Sequence, residues 1–379
     1  MHIGIDGLLL HGSFSGVEQA IHRLLRELSQ AGGPHRYSVY VPRDYAGEEL
    51  ERPGFELCRV EFRGGEKVRR ALFTQTGFHR RARADGVDLL HGPGYLLPQG
   101  WRGPAVATVY DLLALTHPHL CAAPNALYYR LFLPRTIRRA TAVIVPSEAV
   151  KREIVERLGV PEGKLHVAPL GVGEEFSGSL PEEAGRRARG RYGIRGPYLL
   201  CVGNVEPKKN LAATVEAFAL AKELGGLPHQ LVLAGGKSWR ADEVERAIGV
   251  LAPDVVVRTG YVAPEDLPAL YAGAEALLFW SLVEGFGLPA LEAMACGTPV
   301  ICSDRGALPE VVGEAAAIVP IGEPGRLAEA ILGLLQDQAR RKALVEEGRR
   351  RASRFTWRSH AEAVLRVYAE VGESSGQAT

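Results

Sequence analysis

Short apolar runs alternating with longer segments of helical period constrain most strongly what this chain can fold into, because that alternation is the mark of repeated strand–helix–strand units around parallel sheets. The runs fall into two series. His2 to Asp6, Tyr37 to Val41, Leu89 to His91, Ala105 to Tyr110 and Ala142 to Pro146 form one set of expected buried strands. Tyr198 to Val202, Gln230 to Ala234, Val255 to Thr259, Ala276 to Phe279, Pro299 to Cys302 and Ala317 to Val319 form the other. Between them Gly171 to Gly196 is rich in Gly, Glu and Arg without a sustained apolar period, which reads as a linker with a charged helix. The expected organisation is therefore α/β, with two Rossmann-like, doubly wound parallel-sheet domains. They span 1–175 and 196–356, with 176–195 between them. The carboxyl ends of the strands in such sheets are where ligands bind.

A length of 379 residues is more than one core usually organises, and 46% hydrophobic with 23% charged residues is ordinary globular composition. The formal net charge of +1 gives no sign of bulk nucleic-acid binding. Five cysteines contain no CxxC pair and leave an odd one over, which fits a reducing cytoplasm. No apolar run approaches the roughly 20 residues that span a bilayer, and no basic region or cleavage site precedes the first run. The expected location is cytoplasmic. Arg and Lys in Lys67-Val68-Arg69-Arg70 and in His79 to Arg83, with Leu72, Phe73 and Phe78 between, leave a peripheral contact at the inner membrane face open beside a solvated helix face.

Chemistry concentrates in Glu284-Gly285-Phe286-Gly287-Leu288-Pro289, which runs into Ala290-Leu291-Glu292. Two carboxylates thus flank a glycine turn that opens a helix, whose N–H groups favour an anionic phosphate and whose first turn suits Pro289. A carboxylate at Glu292 suits a ribose diol. Its neighbours are apolar or small, so the helix is expected to be buried and an unpaired acid there would be costly. Gly285 and Gly287 suggest backbone that approaches something closely or adopts positive φ. Lys208 and Lys209 precede a helix beginning near Asn210, where unpaired cations are disfavoured by the helix dipole, so an anionic ligand is the better explanation for Lys209. Lys208 reads equally as a solvated lysine.

The stretch Glu284 to Met294, continued by Ala295 to Val300, resembles the Glu-x7-Glu signature of retaining glycosyltransferases of family 4. Leu200 to Leu211 resembles that family's phosphate-binding turn, and Ser303 to Glu310 the segment after the second carboxylate. The resemblance implies the GT-B fold, its two domains facing a central cleft, with the last helix, 357–371, returning to the first domain. It implies a nucleotide diphosphate sugar as donor, with no separate cofactor and no metal. Glu284 would contact the transferred sugar, Glu292 the ribose, and Lys209, with Lys208 as an alternative, the diphosphate. Asn204 stands where many relatives carry Arg. The N–H groups at Phe286, Gly287 and Leu288 and the loop Gly12 to Val17, with Gly16 closest, would add to the donor site. Backbone near Ala234 to Lys237 and Gly260 to Val262 would meet the base.

On the acceptor side, Tyr110 stands where relatives carry His, and its hydroxyl donates one hydrogen bond but is no cation at neutral pH. Asp111 reads as the group orienting the acceptor hydroxyl or as a helix N-cap. His91, before Gly92-Pro93-Gly94, reads as an acceptor contact or as a satisfied structural histidine. The expected partners are the nucleotide sugar and a glycan, lipid-linked or small-molecule acceptor. A sugar-nucleotide epimerase or phosphorylase on the same frame, and a non-catalytic nucleotide-sugar-binding relative, are the alternatives. Gly235-Gly236-Lys237-Ser238 ends like a phosphate-binding loop of ATPases, but Leu231 stands where that motif requires glycine.

Overall fold

A strand in a parallel sheet is covered by helices on both faces, so it reads as an almost unbroken apolar run. In the computed structural model, which describes residues 1–11, 16–178, 181–236 and 242–376, the runs form two all-parallel sheets. The chain divides into two compact units, one of Met1–Thr116, Ala123–Gly171 and Trp357–Thr379, the other of His117–Ala122 and Val172–Thr356. Gly12, Ser13, Phe14 and Ser15 of the first loop, and Lys237 and Ser238, lie outside the described residues.

The first unit holds β1 (His2–Asp6), β2 (Arg36–Pro42), β3 (Phe55–Val60), β4 (Leu89–Gly92), β5 (Ala105–Thr108), β6 (Ala142–Val145) and β7 (Leu165–Val167). Their order is β3-β2-β1-β4-β5-β6-β7. The five strands expected in this half are joined by two edge strands. An edge strand has one neighbour and does not need an unbroken apolar run: in β3 exposed Glu56 and Arg59 interrupt the apolar residues, and β7 has three residues. The second unit holds β8 (Tyr198–Val202), β9 (Gln230–Ala234), β10 (Val256–Gly260), β11 (Ala276–Phe279), β12 (Val300–Ser303) and β13 (Ala317–Val319), ordered β10-β9-β8-β11-β12-β13. Strand order reverses between β1 and β4 and again between β8 and β11, and outside such reversals ligands of open α/β sheets bind. The segment between the two series is part of the second unit: its helix Glu182–Tyr192 is held there by Arg191 and the Tyr192 hydroxyl, both donating to buried Asp266 at 2.8 and 3.1 Å.

In the first unit, Ile21, Leu24, Leu25 and Leu28 of the helix Gly16–Ala31 share a core with β1, β2 and the last helix, Trp357–Gly376, which contributes Ala361, Val364, Val367, Tyr368 and Val371. Two buried histidines pin that helix. His91 lies 2.6 Å from the Tyr368 hydroxyl and 2.9 Å from the Thr108 hydroxyl, and His360 Nδ1 faces the carbonyls of Ala168 and Pro169 at 3.1 and 3.2 Å. Among the described residues no helix is long and apolar enough to cross a membrane.

Burial, with His360 nearby, pushes His91 down to about 3, and burial pushes His360 down to about 4. Unfolded, both would protonate near 6.5, so their contribution to stability is complete above that pH and is lost as pH falls toward 3 to 4. Each pH unit in that window is worth up to about 1.4 kcal/mol per histidine. Asp6, pushed up to about 6 chiefly by burial, works in the opposite sense between its ordinary 3.8 and 6. The melting temperature of His91→Gln, which keeps a hydrogen-bonding side chain, is therefore expected to fall less steeply than that of the wild type between pH 6.5 and 4. Equal slopes in parallel thermal scans would remove His91 from the pH dependence.

Candidate active site

At the strand-order reversal of the second unit, the turn after β8 meets the loop after β11. The β8 turn is tied to β9 by Gly203 N–H donating to the Ala234 carbonyl at 2.9 Å and Val205 N–H to the Gly236 carbonyl at 3.0 Å. It closes in a short 3₁₀ turn, Pro207–Lys209, after which Asn210 adopts φ +53 before the helix Leu211–Gly225. Asparagine tolerates that left-handed conformation better than most residues. Lys209 then runs back across Gly203, whose φ is +133; a Cβ there would lie 3.0 Å from Lys209 Cε. The Lys209 ammonium ends 4.5 Å from the Phe279 ring centroid and 2.6 Å from Glu284 Oε1.

Glu284 is 9% exposed. Burial pushes its carboxyl up, but Lys209 and Lys208 outweigh that and hold it below the usual carboxylate range. Its backbone is fixed as tightly as its side chain. The Glu284 carbonyl accepts from Ala307 N–H at 2.9 Å across Gly306, whose φ is +60 and where a Cβ would fall 2.1 Å from that oxygen. Leu282 N–H donates to the Lys208 carbonyl at 2.8 Å, so the two loops are also joined through backbone. Gly306 carries a requirement that sequence reasoning assigned only to Gly285 and Gly287. Of those two, Gly287 has φ +113 and precedes the helix Leu288–Ala295, while Gly285 has no positive φ. The Phe286 ring is buried edge-on against Phe355 at 5.8 Å, so that side chain belongs to the core.

Glu292 is buried on the same helix and accepts a 2.8 Å hydrogen bond from the Tyr271 hydroxyl. Burial, then the adjacent Glu292, holds the Tyr271 phenol well above its ordinary value, so it stays a donor. In sequence Tyr271 reads as one more apolar residue of the helix Leu267–Gly273. Lys208 turns to Glu206, 3.6 Å away, and Asn204 is exposed at the edge of the turn. The structure thus brings Lys209 and Glu284 together and gives Glu292 and Lys208 partners of their own.

In the first unit, Gly16 opens the helix that follows β1, and a Cβ there would meet nothing within 4 Å. Beyond β5, Tyr110 is buried and Asp111 has both oxygens engaged: Oδ2 accepts from the Tyr95 hydroxyl at 3.1 Å and Oδ1 from Leu113 N–H at 3.0 Å. The second contact is a local turn at the start of the short helix Leu113–Thr116. Tyr95 was not singled out in sequence, yet its φ is +74, a strained value for an aromatic residue, and its ring stands 5.4 Å edge-on to both Tyr110 and Tyr129. His91 is the correction. It is fully buried in the core with both ring nitrogens partnered, so it serves as a structural histidine and not as an acceptor contact.

A family model described as Glycosyltransferase Family 4 matches residues 14–176, and one described as Glycosyl transferases group 1 matches residues 187–351. The chain is a group 1, family 4 glycosyltransferase. Among its relatives, the D-inositol 3-phosphate glycosyltransferase of Kineococcus radiotolerans is 30% identical over 325 residues, covering 78% of this chain and 75% of that one. The O-antigen chain mannosyltransferase B of Escherichia coli is 29% identical over 282 residues, 74% of each chain. The fold of this glycosyltransferase is GT-B. It matches sucrose-phosphate synthase of Thermosynechococcus elongatus with a TM-score of 0.78 at 22% identity, over 99% of this chain and 100% of that one. It matches the Anabaena protein HepE in complex with UDP and glucose with a TM-score of 0.76 at 19% identity, over 98% and 100%.

Because Glu284 already holds the Lys209 ammonium, any anion brought to this turn would have to compete with it for that cation. By isothermal titration, Glu284→Gln is expected to bind a nucleoside diphosphate several-fold more tightly than the wild type, and Lys209→Ala about tenfold or more weakly. Weaker binding by Glu284→Gln would show that the pair prepares the site for the diphosphate instead of competing. Gly306→Ala forces a methyl against the Glu284 carbonyl. An overpacking cost of about 1–3 kcal/mol should lower the melting temperature by several degrees.

Proposed function

We propose that this glycosyltransferase moves a hexose, of the mannose or glucose type, from a nucleotide diphosphate sugar to a hydroxyl of a glycan, lipid-linked or small-molecule acceptor, with retention at the anomeric carbon. The observation that carries the reading is the part-buried Lys209–Glu284 pair at the strand-order reversal of the second unit. A cation and a carboxylate within 2.6 Å of each other suit a ligand whose charged diphosphate adjoins a neutral sugar rich in hydroxyls. The E. coli relative named for mannose transfer and the structural neighbour holding UDP and glucose support the hexose and the donor class.

In this reading Lys209, with N–H groups of Phe286, Gly287 and Leu288, stabilises charge developing on the diphosphate as it leaves, and Gly16 lets backbone approach its distal phosphate. Lys208 and Asn204 lie beside that site. Glu284 orients the sugar through its hydroxyls. Glu292, fixed by Tyr271, takes the ribose diol. Asp111, steadied by Tyr95, orients the acceptor hydroxyl, with Tyr110 beside it as a neutral hydrogen-bond donor. The bond from the anomeric carbon to the phosphate oxygen breaks, the bond to the acceptor oxygen forms on the same face, and the acceptor's proton goes to the departing diphosphate. Lysine supplies the cation, so the transfer is proposed to be independent of divalent metal.

Thermal unfolding with UDP, GDP, ADP and dTDP identifies the donor base, since a ligand at 100 times its Kd stabilises by roughly 2.7 kcal/mol. One nucleotide is expected to stand out, and its shift to vanish in Lys209→Ala. With the matching sugar nucleotide and an acceptor screen, proton NMR of the product should show the donor's anomeric configuration, and chelator should leave the rate unchanged. An inverted product, or turnover of donor to an isomer without an acceptor, would overturn the reading.

A further inference from the structure

Three helices of the first unit concentrate positive charge to a degree that the near-neutral chain as a whole does not prefigure. The helices Lys67–Thr76, Phe78–Ala84 and Ala123–Arg139 carry three, three and four Lys or Arg residues and not one Asp or Glu. Arginine-rich helices elsewhere contain their own acids, as Gln338–Ala352 does with Glu346 and Glu347. Of the ten cations, Arg69 pairs with Glu66 and Arg81 with Asp85, both acids just outside the helices. Lys67, Arg80, Arg83, Arg130, Arg135 and Arg138 are exposed, and among the described residues no carboxylate lies within ion-pair distance of them.

The same helices expose apolar side chains that a soluble surface does not need. Val68 and Leu72, one turn apart, are 75% and 61% exposed; Leu127 and Leu131, one turn apart on the third helix, are 62% and 46% exposed. Tertiary contacts put these helices on one face. Gln75 donates to the Tyr128 hydroxyl at 3.3 Å and accepts from Gln99 N–H at 3.3 Å. Arg83 donates to the Gly100 carbonyl at 3.4 Å, and Arg139 to the carbonyls of Gln99 and Trp101 at 2.6 and 2.5 Å. One short loop, 99–101, therefore binds the second and third helices together, and Gln75 joins the first to both the loop and the third.

We propose that this face is a peripheral docking surface for an anionic phospholipid bilayer, with Val68, Leu72, Leu127 and Leu131 entering the headgroup–acyl boundary and the surrounding lysine and arginines meeting lipid phosphates. Charge complementarity selects the occupant. A protein partner burying an all-cationic face would have to supply a matching acidic one, whereas an anionic leaflet presents such charge everywhere and attracts each Lys or Arg near its surface. Apolar anchors ringed by cations are the composition that interfacial helices use. The inference stands apart from the donor site and from the reaction proposed for it.

Co-sedimentation of the full chain with phosphatidylcholine vesicles, with and without an equal share of phosphatidylglycerol, tests it. The chain should bind the anionic vesicles at least about tenfold better than the neutral ones, and rising salt should weaken the binding. Two variants, Leu72→Ser with Leu127→Ser and Leu131→Ser, and Lys67→Gln with Arg80→Gln and Arg130→Gln, should each lose most of it while keeping the far-UV circular dichroism of the wild type. No sedimentation with phosphatidylglycerol at low salt would overturn the proposal. So would binding that survives both variants, which would come from another surface. A chain that ignores vesicles but forms a dimer that the leucine variant dissociates would assign the face to a second copy and equally end the proposal.

Discussion

A carboxylate with nine-tenths of its surface removed from water stays ionised only where a cation has been placed against it, and the geometry of the second unit follows from meeting that condition at Glu284. Placing the cation requires the turn after β8 to double back, which Asn210 allows by its left-handed backbone and Gly203 by having no side chain in the lysine's path. Holding the carboxylate requires the loop after β11 to be braced from β12, which Gly306 allows by leaving room for the Glu284 carbonyl. Residues from three strand ends are thus committed to one contact. The resulting arrangement is charged and largely shielded from water, a setting in which electrostatic groups act more strongly on a ligand than they would at an open surface.

How much of this could be read in the letters depended on whether a feature was local. All six strands of the second sheet were legible, its edge strands β10 and β13 included, because each carries an apolar run, while the edge strands β3 and β7 escaped because Glu56 and Arg59 interrupt the one and His166 the other. Lys209 and Glu284 were legible singly, each from its turn. Their contact was not, since 75 residues separate them and no periodicity spans such a distance. Tyr95 and Tyr271 were invisible for another reason. A tyrosine in an apolar setting looks like core until the partner of its hydroxyl is known, and here the partners are Asp111 and Glu292. His91 illustrates the converse: the letters allow a histidine at a strand end to be an acceptor contact or a structural histidine, and only the fold shows that both its nitrogens are used.

The cationic face follows the same rule. The pattern of Lys67 to Arg83 is written in one segment, but Leu127, Leu131 and the arginines of their helix lie some fifty residues away, and tertiary contacts such as Gln75–Tyr128 and those of the 99–101 loop bring them together.

The bond between His91 and Tyr368 also has a bearing on how the chain is made. Strand β4 and the final helix meet there across 277 residues, so the hydrophobic interior that begins with β1 stays open on a ribosome until Trp357–Val371 has emerged. Most of the second unit lies between, in Val172–Thr356, and can complete its sheet first. For this enzyme the strands synthesised before the second unit gain their last helix only after it, and they must be kept from other nascent chains while the second unit is made.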